Sequence, residues 1–156
     1  MQLIIAEKPS AARSIASALG ADNKRSGYIE GDDILISWCA GHLLELAAPD
    51  AYGRKYAKWR HEDLPIIPEK WIHIPSKGKE AQLKIIKDLM NHSDVDVIIN
   101  ACDSGREGEL IFRHVYEHSA CSKRTLRLWI SSLEETAIKA GFDDCGDGFV
   151  NYMLEF

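Results

Sequence analysis

The sequence predicts an α/β fold, a mainly parallel sheet with helices on both faces and an antiparallel hairpin attached to it. Three observations carry this. Strand-like and helix-like hydrophobic patterns alternate along the chain, as βαβ units require. The run DVDVIIN at residues 94–100 leads into a strand too apolar to face water on either side. Finally, Gly31-Asp32-Asp33 stands between two short strand-like runs, a turn signal.

The elements follow in order. Residues 2–7 are an apolar run ending in Glu7, and Pro9 suits the first turn of a helix with the stripe Ala12, Ile15, Ala16 and Leu19, closed by Gly20. Residues 27–38, GYIEGDDILISW, read as the hairpin. From residue 47 to 70 periodicity fails while Pro49, Pro65, Pro68, Tyr52, Tyr56 and Trp59 accumulate, which marks an irregular loop insertion with the aromatics as anchors. A strand WIHIP (71–75) comes next, then a helix at 79–91 with Ile85, Ile86, Leu89 and Met90 on one stripe. VDVIINAC (95–102) is a buried strand, and the helix after it starts near Arg106. RTLRLWI (124–130) supplies the last strand, and Ser132 with Glu135 forms a capping-box signature for a helix of about residues 133–142. Residues 1–145 thus form one domain. Residues 146–156, ending in VNYMLEF, read as the truncated start of a further helical segment.

Composition bounds the function. With 156 residues, 46% hydrophobic and 28% charged, the chain suits one soluble globular domain. No apolar run reaches membrane-spanning length, and Gln2–Ala6 is too short and too soon followed by charge for a signal peptide, which predicts the cytosol. Cys39, Cys102, Cys121 and Cys145 show neither a C-x-x-C pair nor zinc-ligand spacing and are expected as buried, reduced thiols. A net charge of −5 argues against a free-standing basic nucleic-acid binder; any contact with DNA needs a metal ion or further domains.

Charge concentrates at two strand ends, in LIIAEKPS (3–10) and NACDSGREGELIF (100–112). In a parallel sheet ligands sit beyond the carboxyl ends of the strands where the winding reverses, so Glu7 and Asp103 are expected to share one site. Converging carboxylates repel, and a hard cation such as Mg2+, completed by water and substrate phosphate, resolves the repulsion. Two helix N-termini, after Lys8 and after Gly105, favour a phosphate there. Lys8 and Arg106 would add positive charge for a phosphoryl transition state. Ser104 with Glu107 is itself a capping box, so Glu107 is either a helix cap or a third acid of the site. Glu109 reads as a solvated helix residue, and His42 as a packed turn histidine or a site residue. The chain has neither a G-x-x-x-x-G-K-[ST] loop nor G-x-G-x-x-G.

The segments AEKPS (6–10), GHLLEL (41–46), EDLPIIPE (62–69), DSGREGELIFR (103–113) and RLWISSLEETAIKAGF (127–142) together resemble the N-terminal Toprim domain of type IA DNA topoisomerases, nearest to the bacterial topoisomerase III branch. The resemblance implies a small Rossmann-like fold in which a first-strand Glu and an Asp-x-Asp bind magnesium near the scissile phosphate. It makes Glu7 a magnesium ligand and proton donor and acceptor, Asp103 the first Asp, Lys8 a transition-state stabiliser, and Arg106 a residue positioning phosphate or nucleophile. His42 and Arg60 become DNA contacts by their place in family-like segments. The full enzyme so implied is an isomerase that breaks, passes and rejoins single DNA strands through a 5′-phosphotyrosine, relaxing negative supercoils and decatenating. Its partners would be single-stranded or negatively supercoiled DNA, its own remaining domains and a helicase, in the nucleoid-associated cytoplasm and away from membranes.

The sequence departs from the pattern twice. Gly105 stands where most Toprim domains have the second Asp, leaving Glu7 and Asp103 with Glu107 as a possible third ligand; magnesium should bind weakly until DNA phosphate completes its shell. None of Tyr28, Tyr52, Tyr56, Tyr116 and Tyr152 sits in the family's tyrosine motif, so the chain alone is expected to be inactive. Two rival readings are a stand-alone Toprim nuclease or primase-like module using metal-activated water, and a binding module gripping single-stranded DNA or a protein through residues 47–68.

Overall fold

The computed structural model describes residues 1–145, so the helical segment expected in VNYMLEF lies outside the described residues. Eight strands are β1 (Gln2–Ala6), β2 (Asn23–Arg25), β3 (Tyr28–Glu30), β4 (Ile34–Trp38), β5 (Leu44–Leu46), β6 (His73–Pro75), β7 (Val97–Ala101) and β8 (Arg124–Arg127). Four α-helices are α1 (Pro9–Ala18), α2 (Glu80–Met90), α3 (Arg106–His118) and α4 (Glu135–Asp143). The main sheet has the order β2-β3-β4-β1-β7-β8, parallel from β4 to β8 and antiparallel through the β3–β4 hairpin and β2.

Its centre explains its order. Leu3, Ile4 and Ile5 of β1 are 0% exposed, which only a strand covered on both faces allows. Each such side chain contributes about 1.5–3 kcal/mol by leaving water. Leu3 and Ile5 pack with Leu83, Ile86 and Met90 of α2 and Ile111, Phe112 and Val115 of α3. Ile4 and Ala6 pack with Ala12, Ile15 and Ala16 of α1 and Ile138 of α4. The chain leaves β1 toward β4 through α1 and later returns through α2 to β7 on the other side. The winding therefore reverses between β1 and β7.

The structure corrects several local expectations. WIHIP does not join the main sheet: β6 pairs antiparallel with β5 in a separate two-stranded sheet, which brackets the irregular insertion with its 3-10 turns. The strand β2 is exposed at all three residues, Asn-Lys-Arg, and so left no apolar signature. Tyr52 anchors the insertion, its hydroxyl accepting the Ile72 N–H at 3.1 Å and its ring meeting Trp71 edge-on at 6.0 Å. Trp59 does not; it is 79% exposed. Neither capping box forms. The N-cap of α4 is Glu134, and the Ser132 hydroxyl accepts the Glu134 N–H at 3.2 Å in a turn before the helix, which delays its start to Glu135. The N-cap of α3 is Gly105, so Ser104 stands one residue too early and Glu107 caps nothing.

Candidate active site

Parallel pairing places Ala6 opposite Ala101, so the chain leaves both strands side by side at the switch point and carries Glu7 and Asp103 to one place. Glu7 is buried, and its Oε2 accepts the Asp103 N–H at 3.4 Å. The Asp103 carboxylate is open to solvent. Between them lies Lys8, its Nζ 3.4 Å from Glu7 Oε1 and 4.0 Å from Asp103 Oδ2. The Lys8 pKa is raised, by the hydrogen bond to Glu7 first and then by the charges of Glu7, Asp103 and Glu107. The ammonium is thus charged at neutral pH.

These residues line an open cleft of about 760 Å³ together with Gly105, Glu107 and, across from them, Ser131 and Ser132. Two helices begin at it: α1 with Lys8 as N-cap, whose side chain bonds none of the helix's first amides, and α3 with Gly105, which has no side chain to do so. The positive helix ends therefore face the cleft as the sequence predicts.

The remaining candidates divide. Glu107 lies 3.5 Å from His42 Nε2 at the rim. His42 is carried by a turn with Ala40 and Gly41 at φ 51 and 75°, which Lys79 holds by donating to the Ala40 and His42 carbonyls at 3.0 and 2.8 Å. It is half-exposed rather than packed, and it lines a separate pocket with His73, Lys79 and His114. Arg106 is exposed at the first position of α3 and is not a lining residue of the cleft. Arg60 belongs to the insertion, where it pairs with Glu62 at 3.6 Å, away from the cleft lining.

Glu109 overturns its expectation. It is only 19% exposed and binds Asn100 Nδ2 at 2.7 Å and Arg113 Nε at 2.6 Å, with Arg127 Nη1 at 3.7 Å. Asn100 and Arg127, both buried, were missed altogether. Asn100 has one sequence signal, a polar residue standing in an otherwise apolar strand, a position that requires a partner; Arg127, in the polar strand Arg-Thr-Leu-Arg, has none.

The donor chemistry tests the fit to a metal. Among the described residues no three His, Cys, Asp or Glu side chains are grouped to hold an ion. Two carboxylates with a lysine between them suit only a hard cation that takes one or two protein oxygens and completes its shell with water and phosphate, which is how magnesium binds.

Fold and site define the class, a Rossmann-like α/β domain with paired acids at its switch point. The chain belongs to the Toprim domain family, whose model matches residues 2–133. It is 44% identical over 148 residues to DNA topoisomerase 3 of Bacillus subtilis and 42% identical over 145 residues to that of Shouchella clausii, covering 94% and 93% of this chain. It spans 20% of the length of each relative. A solved structure, full-length topoisomerase I from Thermotoga maritima, shares the fold with a TM-score of 0.59 at 23% identity, over 90% of this chain and 20% of that one.

Proposed function

We propose that this chain is the amino-terminal Toprim domain of a type IA DNA topoisomerase of the topoisomerase III kind, residues 1–145 forming the domain and residues 146–156 leading into the rest of the polypeptide. The observation that carries this is the convergence of Glu7, Lys8 and Asp103 at the β1–β7 switch point, between two uncapped helix N-termini. Similarity to DNA topoisomerase 3 over nearly the whole chain supports the same reading. Toprim domains of topoisomerases generally bind metal, and here Glu7 and Asp103 would hold magnesium, with Glu107 as a third ligand. Magnesium bound there supplies a Lewis acid for the scissile phosphate.

The chain's own residues do the rest. Lys8 places fixed positive charge beside the phosphate as negative charge builds in the transition state. Glu7, shielded from solvent, exchanges a proton with the 3′ oxygen of the broken strand. Arg106, at the mouth of α3, steers the phosphate or the attacking hydroxyl, and His42 with Arg60 touches the DNA strand. Among the described residues no tyrosine lines the cleft, and the Tyr116 hydroxyl is spent on the Lys123 carbonyl at 2.7 Å. Since none of the chain's tyrosines sits in the family's tyrosine motif, the nucleophilic tyrosine would come from another part of the full protein, which would act on single-stranded or negatively supercoiled DNA at the nucleoid, with a helicase as partner.

A graft tests this. Replacing the corresponding amino-terminal residues of the Bacillus subtilis enzyme with this chain should give magnesium-dependent relaxation of negatively supercoiled plasmid, abolished by Glu7→Ala. A folded but inert graft would refute the assignment. A plasmid nick made by this chain alone with magnesium would instead favour the stand-alone nuclease.

A further inference from the structure

Every backbone donor and acceptor of Cys102 and Asp103 is held by a side chain rather than by a neighbouring strand. The β7–β8 ladder runs out at the bond from Leu128 N–H to the Asn100 carbonyl, 2.9 Å. Beyond it, Arg127 Nη2 donates to the Cys102 carbonyl at 2.9 Å and to the Asp103 carbonyl at 2.6 Å. Asn100 Oδ1 accepts the Cys102 N–H at 3.0 Å, and Glu7 Oε2 accepts that of Asp103. The last residue of β8 thus extends the sheet with its side chain for two residues, to the acid at the site.

The arrangement is costly. Arg127 is 8% exposed, burial lowers its pKa against the opposing charge of Glu109, and its Nε and Nη1 have no hydrogen-bond partner among the described residues. A buried, incompletely bonded ion pair adds little stability, and an apolar pair in its place is often as stable. What the guanidinium does supply is direction for two carbonyls. Glu109 balances its charge and also grips Asn100, so the three side chains form one unit under the loop.

We infer that Arg127, Glu109 and Asn100 are positioning residues that fix Asp103 in register with Glu7, and that Arg127 and Glu109, although charged and beside the site, touch neither metal nor DNA. This rests on the reading of Glu7 and Asp103 as a metal site. Partners that orient a metal ligand typically change affinity by about 10–100-fold when removed.

The test compares Glu109→Gln, Arg127→Met, their double variant and Arg127→Lys in the 156-residue chain. The readouts are melting temperature, amide shifts and heteronuclear NOEs at residues 102–106, and magnesium affinity by NMR titration. Glu109→Gln, which leaves a buried guanidinium uncompensated, should lower the melting temperature, and the double variant should recover it. The double variant and Arg127→Met should nevertheless show a disordered 102–106 loop and magnesium binding weakened by roughly 10–100-fold. Arg127→Lys should restore part of both, since one ammonium can serve two carbonyls as Lys79 does. Wild-type loop shifts and magnesium affinity in Arg127→Met would overturn the inference; if that variant does not fold, the same result in Arg127→Lys and Glu109→Gln together would. A wild-type chain that binds no magnesium would refute the metal reading alone, and the loop shifts and NOEs would still decide the scaffold.

Discussion

Gly108 is the point at which packing and site geometry are most tightly joined, and replacing it by Ala gives a prediction with a magnitude. A Cβ on Gly108 would stand 2.2 Å from the Asp103 carbonyl oxygen and 2.8 Å from its nitrogen. Ordinary contact begins at 3.4 Å, so the loop or the first turn of α3 must retreat by about 1.2 Å. The obstacle is backbone and cannot rotate aside. Overpacking of this kind costs about 1–3 kcal/mol, helix propensity returns up to about 1 kcal/mol, and the expected net loss is about 1–2 kcal/mol. For a chain of this size each kcal/mol lowers Tm by about 2–4 °C. Gly105→Ala is the internal control: its Cβ meets nothing within 4 Å, and φ −79° with ψ 171° suits any residue, so stability should change by less than about 0.5 kcal/mol. Thermal unfolding followed by circular dichroism measures both, and amide shifts at residues 102–105 report whether Asp103 moved. A Gly108→Ala chain as stable as wild type with unmoved shifts would refute the close-approach argument.

The same open space at Gly105 allows Gly105→Asp to supply the second acid of the Asp-x-Asp pattern, and magnesium titration should show tighter binding than wild type; unchanged affinity would mean that position 105 does not face the ion. The folded-state pKa of His114 is lowered, by burial first and then by the His73 charge, with the His73 ring tilted against it at a centroid distance of 4.3 Å. The unfolded chain therefore takes up the proton first: stability should be flat above the ordinary histidine range and fall as pH drops through it, and His114→Gln should flatten that fall when Tm is followed from about pH 7.5 to 5.5. Burial raises the thiol of Cys145, and a hydrogen bond with the Cys39 thiol together with burial raises that of Cys102, so a thiol-disulfide reagent should label the half-buried Cys121 first in the native chain.

The parallel sheet was legible in the sequence because its evidence is local: the two-sided apolar runs of β1 and β7, the Pro9 helix start and the Gly31-Asp32-Asp33 turn all declare themselves within a few residues. The meeting of Glu7 and Asp103 followed from one topological rule applied to those strands. What stayed hidden depends on partners far along the chain. Glu109 looks like any solvated helix acid until α3 turns it toward Asn100 and Arg127. The β5–β6 pair joins residues about thirty apart across an aperiodic insertion, through strands too short to show alternation. Both capping boxes matched in spacing and failed because the chain turned one or two residues later than the motif requires.

The measurement that bears most directly on the site is a magnesium titration of the 156-residue chain followed by amide NMR, with Asp103→Ala as the control. Saturable shifts confined to Glu7, Lys8 and residues 103–107, absent from the control and tightened by a single-stranded oligonucleotide, are the expected result. Shifts scattered over the acidic surface, or unchanged in Asp103→Ala, would show that the two strand ends do not form a metal site.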